Sequence, residues 1–168
     1  MHELTTGWKV FRIVCILQMI AVGLQLIFSA GALFYSSHKL FHIVSFTAYL
    51  LMFVFLYQGL SLINYNYPDT PLSAKQKKNF NWLFLLNFLL IAFLFSDLVS
   101  EWRRLAPLLE MIEGSILNYI LLGFTLLLAV LVFCFHLVFL AGMYRLRRVI
   151  YKNSIELWQN QFSEQKNH

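Results

Sequence analysis

Gln18, Gln58, Asn87 and His136 are the side chains of this sequence best placed to do chemistry in an apolar medium. One amide or imidazole falls in each of four long apolar runs, six to eight residues from a run's end. If the runs are antiparallel helices, all four polar groups share a depth. In hydrocarbon such groups turn to a neighbouring helix, where a hydrogen bond is worth roughly 0.6–2 kcal/mol. The first expectation is therefore an interhelical polar layer that fixes register. The functional alternative is a path for a proton, an ion or a small polar solute, with His136 as the group able to exchange a proton near neutral pH. No Asp, Glu, Lys or Arg lies deep in any run, so a coupled ion pump has no evident charge carrier.

A second constellation lies at the opposite ends of the runs. His38 and His42 are four apart, as are Asp97 and Glu101, so each pair can share a helix face. Two imidazoles and two carboxylates are ligand types for a metal such as Zn²⁺. The plainer expectation is a set of interface anchors with a salt bridge such as Glu101 to Arg104. No H-E-x-x-H motif is present. Bis-histidine haem ligation fails on depth, because helix rise puts His42 and His136 about 25 Å apart along the membrane normal. Cys15 and Cys134 lie inside apolar runs and form no C-x-x-C, so they read as small buried side chains rather than redox or zinc groups.

The elements that must position these residues follow from composition. Hydrophobic residues make up 60% of the 168 and charged residues only 12%, against about 25% charged in a soluble domain. The runs, at about 10–35, 41–64, 80–100 and 116–144, each exceed the roughly 20 residues needed to cross a hydrocarbon core. The expected fold is all-α: a four-transmembrane-helix up-down bundle over residues 1–144, joined by short loops that make sequential helices neighbours. The first run, with Lys9 and Arg12 ahead of it and Ala30-Gly31-Ala32 at its end, imitates a secretory signal. It is too long for one and carries Gln18 and Gln25, so a retained helix is expected.

Charge sets the orientation. Ten of the thirteen Lys and Arg residues lie before or at the start of the first run, follow the second or follow the fourth; the other three are Lys39, Arg103 and Arg104. Basic loops resist translocation, which places both termini on the cytoplasmic side. Trp8, Trp82, Trp102 and Trp158 fall at or beyond run ends, where an indole can lie among headgroups. The net charge of +5 is confined to loops and ends, so the expected electrostatic partner is anionic lipid and not nucleic acid.

Two amphipathic appendages complete the expected fold. Between the second and third runs, Pro68-Asp69-Thr70-Pro71 reads as a turn, followed by a cap from Thr70 or from Ser73 with Gln76 three residues later. Residues 101–113 alternate Trp102, Leu105, Leu108, Leu109 and Ile112 with Arg103, Arg104, Glu110 and Glu113, which predicts a short outer interfacial helix entered or bent at Pro107. Over residues 145–168 the fourth helix is expected to continue or bend into a basic amphipathic cytoplasmic tail, with Tyr151, Ile155, Trp158 and Phe162 on one stripe and Arg145, Arg147 and Arg148 beside lipid or a partner subunit.

Small and polar residues also form seams suited to close helix packing: Cys15, Gln18, Val22, Gln25, Ser29 and Ala32 on the first helix, and Asn118, Thr125, Ala129, Val132 and His136 on the fourth. No nucleophile with a base and no phosphate-binding loop is evident, and the sequence requires no cofactor. These features point to a non-catalytic integral membrane protein serving as an assembly, stabilising or regulatory subunit of a larger membrane complex. The alternatives are a small oligomeric transporter or channel built on the polar layer, and a membrane redox or metal-binding subunit. Expected partners are membrane lipids with other membrane subunits or further copies of the chain. Short loops and the lack of a targeting peptide suit a bacterial cytoplasmic (inner) membrane.

Overall fold

Leu, Phe, Ile and Val dominate each run and none of the three prolines, Pro68, Pro71 and Pro107, falls within one, so no proline interrupts helix propagation in a medium where every main-chain group needs an internal partner. A computed structural model of the chain, which describes residues 4–35, 39–111 and 116–166, contains four helices among them: α1 (Thr6–Tyr35), α2 (Lys39–Tyr65), α3 (Ala74–Met111) and α4 (Ile116–Lys166). Each is long and apolar enough to cross a bilayer, over Thr6–Tyr35, Lys39–Tyr65, Ala74–Ser100 and Val130–Gln159. The protein is an integral membrane protein built as an all-α, four-helix bundle.

Consecutive helices pack together, α4 closes back on α1, and α2 also touches α4 across the centre. Neighbours run antiparallel: Trp8 meets Tyr67 and Gly23 faces Phe53 between α1 and α2, while Phe95 meets Phe133 and Phe80 lies under Arg147 between α3 and α4. Buried side chains concentrate in the half of the bundle that carries the chain ends. Phe55 is the hub there, with its ring 5.6 Å from Phe80, 6.2 Å from Phe84 and 5.2 Å from Phe139, all edge-on. Edge-to-face contacts of this kind add about 0.5–1.5 kcal/mol beyond the area buried.

The separate interfacial helix expected over 101–113 is not formed as such. The helix passes through Pro107 and runs unbroken from Ala74 to Met111, 38 residues or about 57 Å, well beyond a hydrocarbon core of roughly 30 Å. Glu101, Arg103, Arg104, Leu105 and Ala106 are strong helix formers with no glycine among them, so propagation of the existing helix wins over a restart. Ile112 and Glu113 lie outside the described residues. At the other end, α3 begins six residues before the expected boundary of 80, because Ser73 starts the helix.

The tail takes the first of its two expected courses, continuation of the fourth helix. α4 extends for 51 residues, about 76 Å, and its Leu146, Ile150 and Ser154 remain buried well past the apolar run. That buried line is offset from the expected stripe: Tyr151, Ile155 and Trp158 are exposed. The Asn153 amide donates to the Pro68 carbonyl at 3.0 Å, which ties the tail to the α2–α3 turn.

That turn is held from within. Buried Asn66 donates to the Thr70 carbonyl at 3.2 Å and accepts from the Gln76 amide at 3.4 Å, and the Thr70 N–H returns to the Asn66 carbonyl at 2.9 Å. Ser73 and Gln76 form a reciprocal capping box: the Gln76 N–H donates to Ser73 Oγ at 3.3 Å and the Ser73 N–H to Gln76 Oε1 at 2.8 Å. Replacing Ser73 with Ala is expected to destabilise the protein by about 1 kcal/mol. The check is reversible unfolding in mild detergent; an unchanged midpoint would show that Gln76 and Asn66 alone hold the turn.

Candidate functional site

The polar layer assembles around α3. Asn87 is fully buried and its side-chain amide donates to two main-chain carbonyls, Leu83 at 2.9 Å on its own helix and Leu51 at 3.3 Å on α2. His136, buried on α4, meets the Asn87 carbonyl through Nε2 at 2.9 Å. A carbonyl only accepts, so Nε2 carries the proton and, in the neutral ring, Nδ1 presents a lone pair. One residue of α3 thus joins α2 and α4 through side chain and backbone in turn. The Phe139 ring lies beside this pair, tilted by 37° to the imidazole with its centroid 6.4 Å away.

Gln18 is also fully buried, one turn beyond Cys15 on the face of α1 that turns inward. The Trp8–Tyr67 and Gly23–Phe53 contacts bracket it and fix an antiparallel register in which Gln18 lies opposite Tyr57 and Gln58. Neither Gln18 Nε2 nor Oε1 has a protein partner; the same holds for Gln58 Oε1, Asn87 Oδ1 and His136 Nδ1. Gln58 is only half-buried and lines a separate groove of about 310 Å³ with Ser61, Lys75, Gln76 and Asn79. Three of the four residues therefore enter the core, and the fourth borders a groove at the α2–α3 turn.

A buried polar group without a partner costs about 1–3 kcal/mol, and an apolar replacement of similar shape recovers it. Gln18→Leu is therefore expected to stabilise the bundle by about 1 kcal/mol if the layer serves packing alone. A loss of stability in detergent unfolding would mean that Gln18 is satisfied in the folded protein, for instance through ordered water. The α1 seam otherwise divides: Phe11, Cys15, Gln18, Val22 and Ser29 are buried, whereas Gln25 is exposed and does not belong to it. Gln25 lies three residues past Val22, on the wide side of the inward stripe, where an amide can reach lipid headgroup or solvent. The Ala32, Asn118, Thr125 and Ala129 side chains lie outside the described residues, while Val132 is half-buried beside His136 on α4.

At the opposite end, His38 lies outside the described residues, as does the Glu101 side chain. His42 is half-buried, with its ring edge-on to Phe41 at 5.6 Å. Asp97 accepts a hydrogen bond from the Tyr49 hydroxyl at 3.3 Å, an α2–α3 contact that sequence alone did not suggest. Among the described residues, no three His, Cys, Asp or Glu side chains converge as metal ligands. His42 and His136 lie at depths too different to share one haem, though by a smaller margin than expected. Phe55 and Phe139 are level across the centre, which puts His136 beside Met52, ten residues or about 15 Å from His42 rather than 25 Å. Of the two cysteines, Cys15 is buried and Cys134 is exposed on α4.

Of the tail residues singled out by charge, Arg145 and Arg148 are exposed, and Arg147 is not free. Its guanidinium lies 5.0 Å above the Phe80 ring and donates to Asn81 Oδ1. No protein-family model, no curated protein and no solved structure matches this chain.

Proposed function

We propose that this protein is a non-catalytic subunit that assembles, stabilises or regulates a larger complex in a bacterial cytoplasmic membrane, with both termini on the cytoplasmic side. The observation that carries the reading is the use of Asn87 and His136. Both engage main-chain carbonyls of neighbouring helices, which makes them fasteners of α2, α3 and α4. The outward faces offer large side chains, among them Phe28, Phe41, Trp82, Phe88 and Phe95, a surface suited to acyl chains or to the helices of other subunits. Purification of the full chain in gentle detergent, with mass spectrometry of what accompanies it, tests the reading. Stoichiometric co-purification of different membrane chains is the expected result, and a protein isolated repeatedly without them would refute it.

The unpartnered atoms of Gln18, Gln58, Asn87 and His136 favour a second reading, a homo-oligomer that conducts a small polar solute past the layer. A symmetric oligomer whose solute flux in vesicles is abolished by Gln18→Leu would replace the first reading with this one. Flux that is absent, or indifferent to Gln18, removes it.

A further inference from the structure

Two antiparallel stripes of α2 and α3 border the groove of about 310 Å³ that Gln58 lines. Val54, Tyr57, Gln58 and Ser61 recur every three or four residues on α2, as do Lys75, Asn79 and Leu83 on α3, so each set shares a helix face. Hydrogen bonds from Gln76 to Asn66 and from Asn87 to the Leu51 carbonyl fix the register of the two helices. In that register Lys75 is outermost, Ser61 lies level with Asn79, Gln58 lies level with Leu83, and Val54 is deepest. Val54 and Tyr57 are exposed, so the groove opens to the medium around the bundle.

The bilayer boundary crosses this groove. The apolar runs end at residue 64 on α2 and begin at residue 80 on α3; by helix rise Lys75 lies about 7.5 Å to the aqueous side of residue 80, and Val54 about 15 Å to the hydrocarbon side of residue 64. Exposed Trp82 marks headgroup depth beside it. A cation and hydrogen-bond donors therefore stand at the aqueous end and hydrocarbon at the membrane end, the order in which a phospholipid presents phosphate, ester and acyl chain. We propose that the groove is a binding site for one anionic phospholipid, its phosphate beside Lys75 and Asn79, its ester region at Ser61 and Gln58, and the start of an acyl chain along Leu83 and Val54. No Asp or Glu is among the described lining residues, and α3 has no acidic residue in its first turn, so the Lys75 charge is left for an anion. Width favours lipid over the helix of another subunit. Spread over the roughly 12 Å of helix from Lys75 to Leu83, the volume gives a cross-section of about 25 Å², against roughly 80 Å² or more for an α-helix. The inference rests on the membrane location and not on the function proposed above.

The test uses the full chain in mild detergent, with phosphatidylglycerol and phosphatidylcholine of identical acyl chains titrated and bound lipid counted by native mass spectrometry. Wild type is expected to hold one phosphatidylglycerol about five-fold more tightly than phosphatidylcholine, the share of one cation near the surface. Lys75→Gln, at an exposed position, should abolish that preference and leave phosphatidylcholine unaffected. Lys78→Gln, also exposed but outside the groove, should preserve it. Val54→Trp, which fills the membrane end, should weaken both lipids together. Equal affinity for the two lipids in wild type, or unchanged binding in Val54→Trp, overturns the proposal. A loss at Lys78 as large as that at Lys75 overturns it in favour of diffuse attraction to the basic surface. Competition by glycerol phosphate as strong as that by the lipid overturns it in favour of a free phosphate ligand. A protein chain that cross-links to residue 57 and excludes lipid overturns it in favour of a subunit interface.

Discussion

Replacing Phe55 with Ala is expected to destabilise the bundle by about 2–3 kcal/mol, the largest effect of any single side-chain truncation in this core. In a soluble protein a buried Phe→Ala change costs about 3–5 kcal/mol, part of it transfer of the ring from water and part the cavity left behind. Lipid is as apolar as the protein interior, so here the transfer part largely vanishes and the cavity part persists. Phe80, Phe84 and Phe139 meet the Phe55 ring from three directions, on α3 and α4, and cannot all close the void. Unfolding in mixed micelles measures the loss. A cost below about 0.5 kcal/mol would show that lipid or detergent refills the space. Phe55→Leu should cost less than half as much, because most of the volume remains.

Gly142→Ala comes next, at about 1–3 kcal/mol, through overpacking rather than loss. A methyl group at Gly142 would run into the Phe11 ring of α1. That ring is stacked on Phe139 at 6.1 Å and meets Trp8 edge-on at 5.7 Å, so it cannot swing clear without disturbing both. Alanine's better helix propensity, up to about 1 kcal/mol, works in the opposite direction and is smaller. Gly59→Ala is the control. There the added methyl would press first on the Met143 thioether, part of a side chain with three rotatable bonds, and less closely on the Phe139 ring at 3.1 Å, far short of the overlap with Phe11 at Gly142. The pair should therefore differ by more than about 1 kcal/mol, and Phe11→Leu should restore most of the loss in the Gly142→Ala background. Equal effects at the two glycines would mean that α1 and α4 do not approach as closely as Phe11 and Gly142 require.

The rods themselves were legible in the sequence, since run length and charge-free composition are enough to specify helices in lipid. Their ends were legible only in part: the stripe after residue 144 foretold that the fourth helix continues or bends onward, but nothing foretold the same of the third. A hydrophobicity change at residue 100 or 144 marks where the surrounding medium changes, whereas a helix ends only where its backbone does, and neither Glu101 nor Arg145 stops one. The Ser73–Gln76 cap was legible because it depends on spacing within four residues. The partners of Asn87 and His136 were not, as both are main-chain carbonyls that look alike at every position. Gln25 shows the same limit from another side: a spacing of three from Val22 matches either edge of a helical stripe, and only the neighbouring helix decides which edge is covered. Lys77 was legible only as a topogenic charge, because its place in the same groove as Arg147, between the α2–α3 turn and the tail, depends on the α3–α4 register.

The unbroken course of α4 has a mechanical consequence. A rod with no joint between its core-buried His136 and its exposed Trp158 cannot let one end turn without the other. Whatever grips the projecting end, whether a bilayer surface or a neighbouring polypeptide, thereby sets the tilt and azimuth of the whole molecule, and Asn153 on Pro68 carries the same constraint to the α2–α3 hairpin.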